Sequence, residues 1–329
     1  MKAYVLRSYG SPDVLELRDI DRPAPGPGEV LVRVRAASVQ PADWHLMRGE
    51  PYVSRLMPGF LGLRKPKITI LGADVAGVVE ATGPGVTGFA TGDEVYAMLA
   101  MGGGFAEYVC VPESELAPKP ATLSFEEAAA VPLAAGTALL ALRDQGGVRP
   151  GSRVLVNGAS GGVGTFAVQL GKAYGAHVTG VCSTRNVDLV RSLGADEVID
   201  YTKEDFTRDG QVYDVLLYIA GNRSFAECRK VLTRKGVCVM IGGAATRWLQ
   251  PAGRVSAALA ASAFVSQKAA LTNVLACRDN RGNLDELTEL IDDGRLAPVV
   301  DRVYDFGELP AAVRYQEEGH APGKVVLRI

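Results

Sequence analysis

The chain of 329 residues is 47% hydrophobic and 22% charged, with a formal charge of −2. This length points to two domains, and the composition excludes disorder as the main state. A near-neutral charge without any Lys/Arg run offers no field to a phosphate backbone or an anionic membrane surface, so neither nucleic acid nor membrane is expected as a partner. Arg7 breaks the first apolar stretch before it reaches signal-peptide length, and Ser262, Ser266, Gln267 and Lys268 interrupt the apolar stretch 256–276 before it can span a bilayer. Cys110, Cys182, Cys228, Cys238 and Cys277 are scattered and form no C-x-x-C pair, which argues against a disulfide framework or zinc ribbon and fits a reducing cytoplasm.

To about Lys119 the sequence predicts short strands at 2–6, 29–36, 74–82, 93–98 and 106–111, punctuated by Gly and Pro as in a small barrel or sandwich. After Pro120 buried strands alternate with helices, the pattern of a parallel sheet covered on both faces. Ser124 and Glu127 form a capping-box signature ahead of an Ala-rich helix. A strand at 153–157, the turn Gly158-Ala-Ser-Gly-Gly-Val-Gly164, a helix at 165–174 and a strand at 177–182 then make one βαβ unit. Further strands are predicted at 197–200, 214–219, 237–241 and 325–329, with helices at 283–293 and 309–318.

Glycines in that position allow backbone N–H groups to approach a pyrophosphate at a helix N-terminus, which makes Gly158, Ser160, Gly161, Gly162, Val163 and Gly164 candidate cofactor contacts. An acid at the end of the next strand would accept from the ribose 2′-OH of NAD, but the chain has Cys182-Ser-Thr-Arg185 there and no acid until Asp188. Ser183 and Thr184 can donate hydrogen bonds and Arg185 can pair with a 2′-phosphate, so NADPH is the expected cofactor.

Several blocks in order carry a family resemblance: Ser38-Val-Gln-Pro-Ala-Asp-Trp44, Gly72-Ala-Asp-Val-Ala-Gly-Val-Val79, Gly92-Asp-Glu-Val95, Gly104-Phe-Ala-Glu-Tyr108, Ala135-Gly-Thr-Ala138, the glycine turn, and the stretch from Gly319 to Val326. They resemble the medium-chain dehydrogenase/reductase superfamily, specifically its zinc-independent quinone oxidoreductase-like branch. The resemblance implies an α/β chain with a GroES-like β-barrel catalytic domain over 1–122, a Rossmann NADP(H)-binding domain with a doubly wound parallel sheet over 123–270, and a return to the catalytic domain over 271–329. It places the cofactor in the cleft between them and suggests a homodimer joined at the Rossmann sheet edge, with 263–276 as the joining segment.

In the zinc-dependent relatives a Cys and a His fill the places of Gln40 and Pro41, and another His fills that of Ala73. None of these three can be a thiolate or imidazole ligand, and His45, His177 and His320 are the only histidines, so no metal is expected. Hydride transfer to an acceptor made electron-poor by conjugation, a quinone or an α,β-unsaturated carbonyl, is then the easier reaction. The resemblance puts Gln40, Pro41 and Thr137 at the nicotinamide end, Tyr201 near the adenosine, Lys324 near the phosphates, and Gly242 and Gly243 at a ligand-facing strand end. Tyr52 is the candidate donor to the acceptor carbonyl, or else a surface Tyr, and Asp43 lies near the nicotinamide in either a chemical or a structural role. His320 belongs to a turn. An alcohol dehydrogenase or aldehyde reductase, and a non-catalytic NADPH-binding sensor, remain as alternatives.

Overall fold

Lys2–Leu6 (β1) pairs antiparallel with Leu15–Asp19 (β2) in register Leu6 to Leu15. The long strand Glu29–Val39 (β3) then organises a second sheet, pairing with Asp74–Thr82 (β4), which pairs in turn with Glu94–Met98 (β5). Tyr108–Pro112 (β6) also pairs with β3, and Leu116–Pro118 (β7) extends β5. β3 is buried along most of its length because it has neighbours on both edges and packs on both faces. The helix Pro41–Arg48 (α1) follows β3 directly, with Gln40 as its N-cap and Pro41 at its first position, where a missing N–H costs nothing. This computed structural model describes residues 1–56, 61–100, 102–208, 210–243, 248, 252–272, 274, 277 and 279–329.

The predicted capping box is present: Ser124 accepts from the Glu127 amide at the start of Phe125–Ala129 (α2). The Ala-rich helix is interrupted, because Pro132 opens a new helix, Pro132–Leu140 (α3). Arg153–Asn157 (β8), Gly162–Ala173 (α4) and His177–Cys182 (β9) form the βαβ unit. α4 begins three residues before the predicted start, so Gly162, Val163 and Gly164 are its first turn and not part of a loop. Val187–Ser192 (α5), Glu197–Asp200 (β10), Tyr213–Tyr218 (β11), Phe225–Cys228 (α6), Leu232–Met240 (β12), Ala252–Ser262 (α7) and Lys268–Leu271 (β13) complete this part. Among the described residues the sheet runs β10-β9-β8-β11-β12-β13, every pair parallel, which is the doubly wound order with its switch between β8 and β11.

The chain then returns. Asn280–Asp292 (α8), Val300–Asp305 (β14), Leu309–Glu317 (α9) and Lys324–Arg328 (β15) follow, with β15 lying between β14 and β3 in the sheet of the N-terminal part. Contacts divide the chain into a first unit of residues 1–133, 277–294 and 298–329 and a second of 134–276 and 295–297. The first unit runs past the boundary predicted at 122 because α2 packs on β3 and β4. The return begins at 277, later than the predicted 271, and 295–297 stays with the second unit because the Gln169 side chain in α4 bonds both to Ala297 O and from Ala297 N, each at 2.9 Å. Leu6, Val32, Val75, Phe105 and Val325 sit in the core of the first unit, and Leu155, Phe206, Tyr213 and Cys238 in that of the second. Among the described residues no helix is long and apolar enough to cross a membrane.

Candidate functional site

In the second unit, β8 ends at Asn157, whose side-chain amide donates to Ala220 O at 2.6 Å. Gly158 turns the chain at φ +97°, a conformation that only glycine adopts cheaply. A Cβ on Gly164 would lie 2.0 Å from the Gly158 carbonyl oxygen, so only glycine lets the first turn of α4 close onto the strand. Gly161, the N-cap, is different: a Cβ there would meet nothing nearer than Gly158 O at 3.6 Å, so its free face is open to a ligand. The helix is twelve residues long, and its leading N–H groups and dipole favour an anion at this opening. These features fit the pyrophosphate of a dinucleotide.

Beside the turn, Asn186 Nδ2 donates to Ser160 Oγ at 2.9 Å and to Ser183 Oγ at 3.4 Å. Both serines therefore accept from the protein and keep their own protons for a ligand. Thr184 Oγ1 donates to Asp200 Oδ2 at 2.6 Å, Thr202 Oγ1 donates to Asp200 Oδ1 at 2.7 Å, and Lys203 Nζ lies 3.2 Å from Oδ2. The Thr184 hydroxyl, with this company, holds the Asp200 carboxyl well below the usual carboxylate range. Thr184 and Arg185 are exposed, as is Tyr201, whose amide donates to Cys182 O at 3.0 Å. Gly242 and Gly243 follow β12, and a Cβ on Gly242 would lie 2.5 Å from Ile219 O. The second unit thus gathers the glycine turn, Ser183, Thr184, Arg185, Tyr201, Gly242 and Gly243 at the C-terminal ends of its strands. Thr137 is buried in α3 of the same unit.

The first unit holds a buried polar cluster built from distant segments. Asp74 Oδ2 accepts from Ser38 Oγ at 2.9 Å and Gln40 Nε2 at 3.2 Å, and Asp74 Oδ1 accepts from the Leu133 amide at 2.9 Å. Lys324 Nζ donates to Gln40 Oε1 at 3.0 Å and sits 3.7 Å from Asp74 Oδ2. Asp43 Oδ2 accepts from the Gln40 amide at 2.9 Å, closing the N-terminus of α1, and its Oδ1 accepts from the Gly72 amide at 3.0 Å. Burial pushes the Asp43 carboxyl up to about 7, raises Asp74 as well, and lowers Lys324. Further along α1, His45 stacks on Trp44 with ring centroids 3.6 Å apart, its Nδ1 is buried without a hydrogen-bond partner, and burial lowers it to about 4.

Tyr52 lies in the turn after α1, its ring 4.6 Å beneath the Arg55 guanidinium, which also covers Tyr9 at 4.2 Å and donates to Gly49 O at 2.7 Å. Of the segment 50–67, the stretch 57–60 lies outside the described residues.

Buried partners in the first unit bear on two of the candidate residues. Lys324, expected at the phosphates, is 4% exposed and serves in the first unit as counter-ion to Asp74 and partner of Gln40. Asp43 spends both oxygens on backbone amides, which accords with the structural of the two roles left open for it, holding the start of α1 to the Gly72 turn. Sequence reasoning missed Ser38, Asp74, Asn186 and Asp200. Asp74 follows Ala73, already of interest for zinc, and Asp200 closes the third parallel strand, where ligands meet such sheets.

Gln40 has both ends of its amide engaged, the nitrogen by Asp74 and the oxygen by Lys324. Among the described residues no group of three or more His, Cys, Asp or Glu is placed to hold a metal ion.

Residues 26–121 match the alcohol dehydrogenase GroES-like domain family, and residues 193–327 match a family described as zinc-binding dehydrogenase. The mitochondrial NAD(P)H oxidoreductase RTN4IP1 of Mus musculus is 36% identical over 355 residues, covering 100% of this chain and 89% of the relative. The chloroplastic NADPH-dependent alkenal/one oxidoreductase of Arabidopsis thaliana is 36% identical over 344 residues, covering 99% of this chain and 79% of the relative. Among solved structures, the quinone oxidoreductase from Coxiella burnetii superimposes with a TM-score of 0.86 at 29% identity, covering 100% of this chain and 99% of that one. With relatives matched along its whole length, a GroES-like domain match and a doubly wound parallel sheet, this oxidoreductase belongs to the medium-chain dehydrogenase/reductase superfamily, in its quinone oxidoreductase-like branch.

Proposed function

We propose that the chain is an NADPH-dependent, metal-free reductase that delivers hydride to quinones or other α,β-unsaturated carbonyls. The observation that supports this reading is the Gln40 amide engaged at both ends, by Asp74 and Lys324, at a place the resemblance gives to a zinc ligand in the zinc-dependent relatives. When bound, the nicotinamide supplies the hydride. Ser160, Gly161, Gly162, Val163 and Gly164 hold the pyrophosphate, and Ser183 and Arg185 hold the 2′-phosphate. The resemblance assigns Thr137 of the second unit and Pro41 and Gln40 of the first to the nicotinamide, and within the first unit Gln40 is fixed in direction by Asp74 and Lys324. A conjugated acceptor needs no Lewis acid, so the remaining task is to hold it and steady the developing charge on its oxygen, a role that falls to the Tyr52 hydroxyl. Solvent supplies the final proton.

All five cysteines are free, which favours a reducing compartment such as the cytoplasm. A homodimer through the β13 edge is supported by Phe264, 88% exposed, and Leu271, 44% exposed, beside a strand with β12 as its neighbour in the sheet. Sizing at micromolar concentration checks it, and a monomer there removes it.

The deciding experiment measures oxidation of NADPH and of NADH with ortho- and para-quinones, an alkenal and a simple aldehyde, in excess chelator. Turnover of the conjugated acceptors, faster with NADPH, is expected. Aldehyde turnover that chelator abolishes would overturn the metal-free reading, and NADPH binding with no turnover would make the chain a sensor.

A further inference from the structure

The end of β9, where an acid was sought and not found in sequence, receives one from the neighbouring strand β10. Asp200 lies opposite Cys182 in the parallel register of β10 and β9, so its carboxylate reaches the residues that follow β9. There it accepts a hydrogen bond from Thr184 at 2.6 Å and another from Thr202 at 2.7 Å, while the two hydroxyls stand 2.9 Å apart. Each hydroxyl has one proton, and both are directed at Asp200, so Thr184 turns only lone pairs toward solvent. Thr184 is exposed, and the Asp200 carboxylate behind it is 8% exposed and ionised.

We infer that Asp200 is the residue that limits the preference for a 2′-phosphate, by making Thr184 a hydrogen-bond acceptor and by placing a negative charge behind it. The inference deepens the dinucleotide reading of the glycine turn and rests on it. An acceptor at this place suits the ribose 2′-OH, which can donate, and is mismatched to a 2′-phosphate, which at neutral pH mainly accepts. Arg185 and the unspent proton of Ser183 act the other way. Lys203, 3.2 Å from Asp200, is released toward the ligand once that carboxylate is gone. Discrimination between the two dinucleotides is therefore a balance, and the chain accepts both with a modest lean toward the phosphorylated one.

The test uses binding, separate from turnover. Dissociation constants of adenosine 2′,5′-bisphosphate and of 5′-AMP are measured by calorimetry on the full chain, for the wild type, Asp200→Asn, Thr184→Val and Asp188→Asn. The ratio in favour of the bisphosphate is expected to rise roughly tenfold in Asp200→Asn, as removal of one nearby charge implies. In Thr184→Val the affinity for 5′-AMP should fall several-fold, about the loss of one hydrogen bond, while that for the bisphosphate holds. Asp188 carries a fully exposed carboxylate near the same strand end and its variant should move neither. An unchanged ratio in Asp200→Asn, or an equal rise in Asp188→Asn, overturns the inference while leaving the dinucleotide site intact. Should Asp200→Asn fail to fold, Thr184→Val decides alone, equal losses for both nucleotides counting against it. A wild type that binds neither nucleotide brings down the dinucleotide reading itself, and this inference with it.

Discussion

The turn between β8 and α4 is shaped by side chains that are missing. Gly164 lies against the Gly158 carbonyl, Gly158 sits at positive φ, and Gly161 leaves an open face. The cluster in the first unit is shaped by side chains that are present, Ser38 and Gln40 next to α1, Asp74 on β4 and Lys324 on β15, all buried. A turn made of backbone keeps its fold when a methyl is added on its open face and resists one on its packed face. A cluster made of buried charges tolerates little anywhere, because each group removed leaves another uncompensated.

The largest effect should come from the cluster. Asp74→Ala leaves the Lys324 ammonium buried without its counter-ion and strips the acceptor from Ser38, Gln40 and the Leu133 amide, so a stability loss of about 3–5 kcal/mol is expected in denaturant unfolding. Trp44 fluorescence in a Trp248→Phe background follows the first unit, since these are the chain's two tryptophans. A loss under about 1 kcal/mol would show the cluster to be no more demanding than a surface ion pair.

The same unit should show two opposed pH dependences. His45 is lowered from 6.5 to about 4, so the unfolded chain takes up its proton first and stability is lost as pH falls from about 6.5 to 4, on the order of 3 kcal/mol. Asp43 is raised from 3.8 to about 7, so its contribution is complete at low pH and is lost as pH rises from about 3.8 to 7, on the order of 4 kcal/mol. In the wild type these two contributions oppose each other between these pH values, and the raised Asp74 adds to the loss as pH rises. In His45→Gln stability should fall as pH rises, and in Asp43→Asn its slope should be more positive. Parallel slopes in the two variants would contradict both assignments.

The glycine turn should respond less, and asymmetrically. Gly164→Ala forces a Cβ against the Gly158 carbonyl, with an expected cost of about 1–3 kcal/mol and loss of nucleotide binding. Gly161→Ala has room in the unliganded chain and should cost less than about 0.5 kcal/mol, yet weaken binding of the nicotinamide cofactor by more than about tenfold because the methyl occupies the open face. Equal stability losses in both variants would erase the distinction between packed and open sides.

The contrast also explains what a single sequence discloses. The glycine turn was legible because strand, glycines and helix follow one another within a few residues and the physics that joins them is local. Even there, the start of α4 was read three residues late, since glycines score poorly as helix formers although their contact with Gly158 is what lets the helix begin. The Asp74–Lys324 pair was illegible because 250 positions of sequence, 74 to 324, separate groups that only the return of β15 beside β3 brings together. Asp200 was overlooked for a similar reason: the acid was sought on the second strand, and the register of β10 with β9 supplies it from the third.

The insertion of β15 between β14 and β3 also sets a timetable for biosynthesis. β3 and Asp74 leave the ribosome early, whereas their partners at 324–328 follow only after the entire second unit has been made. At about 5–20 residues per second, that interval is on the order of tens of seconds. Throughout it the nascent chain carries a sheet edge without its neighbour and an acid without its cation, the kind of surface that chaperones shield. The arrival of β15 closes both.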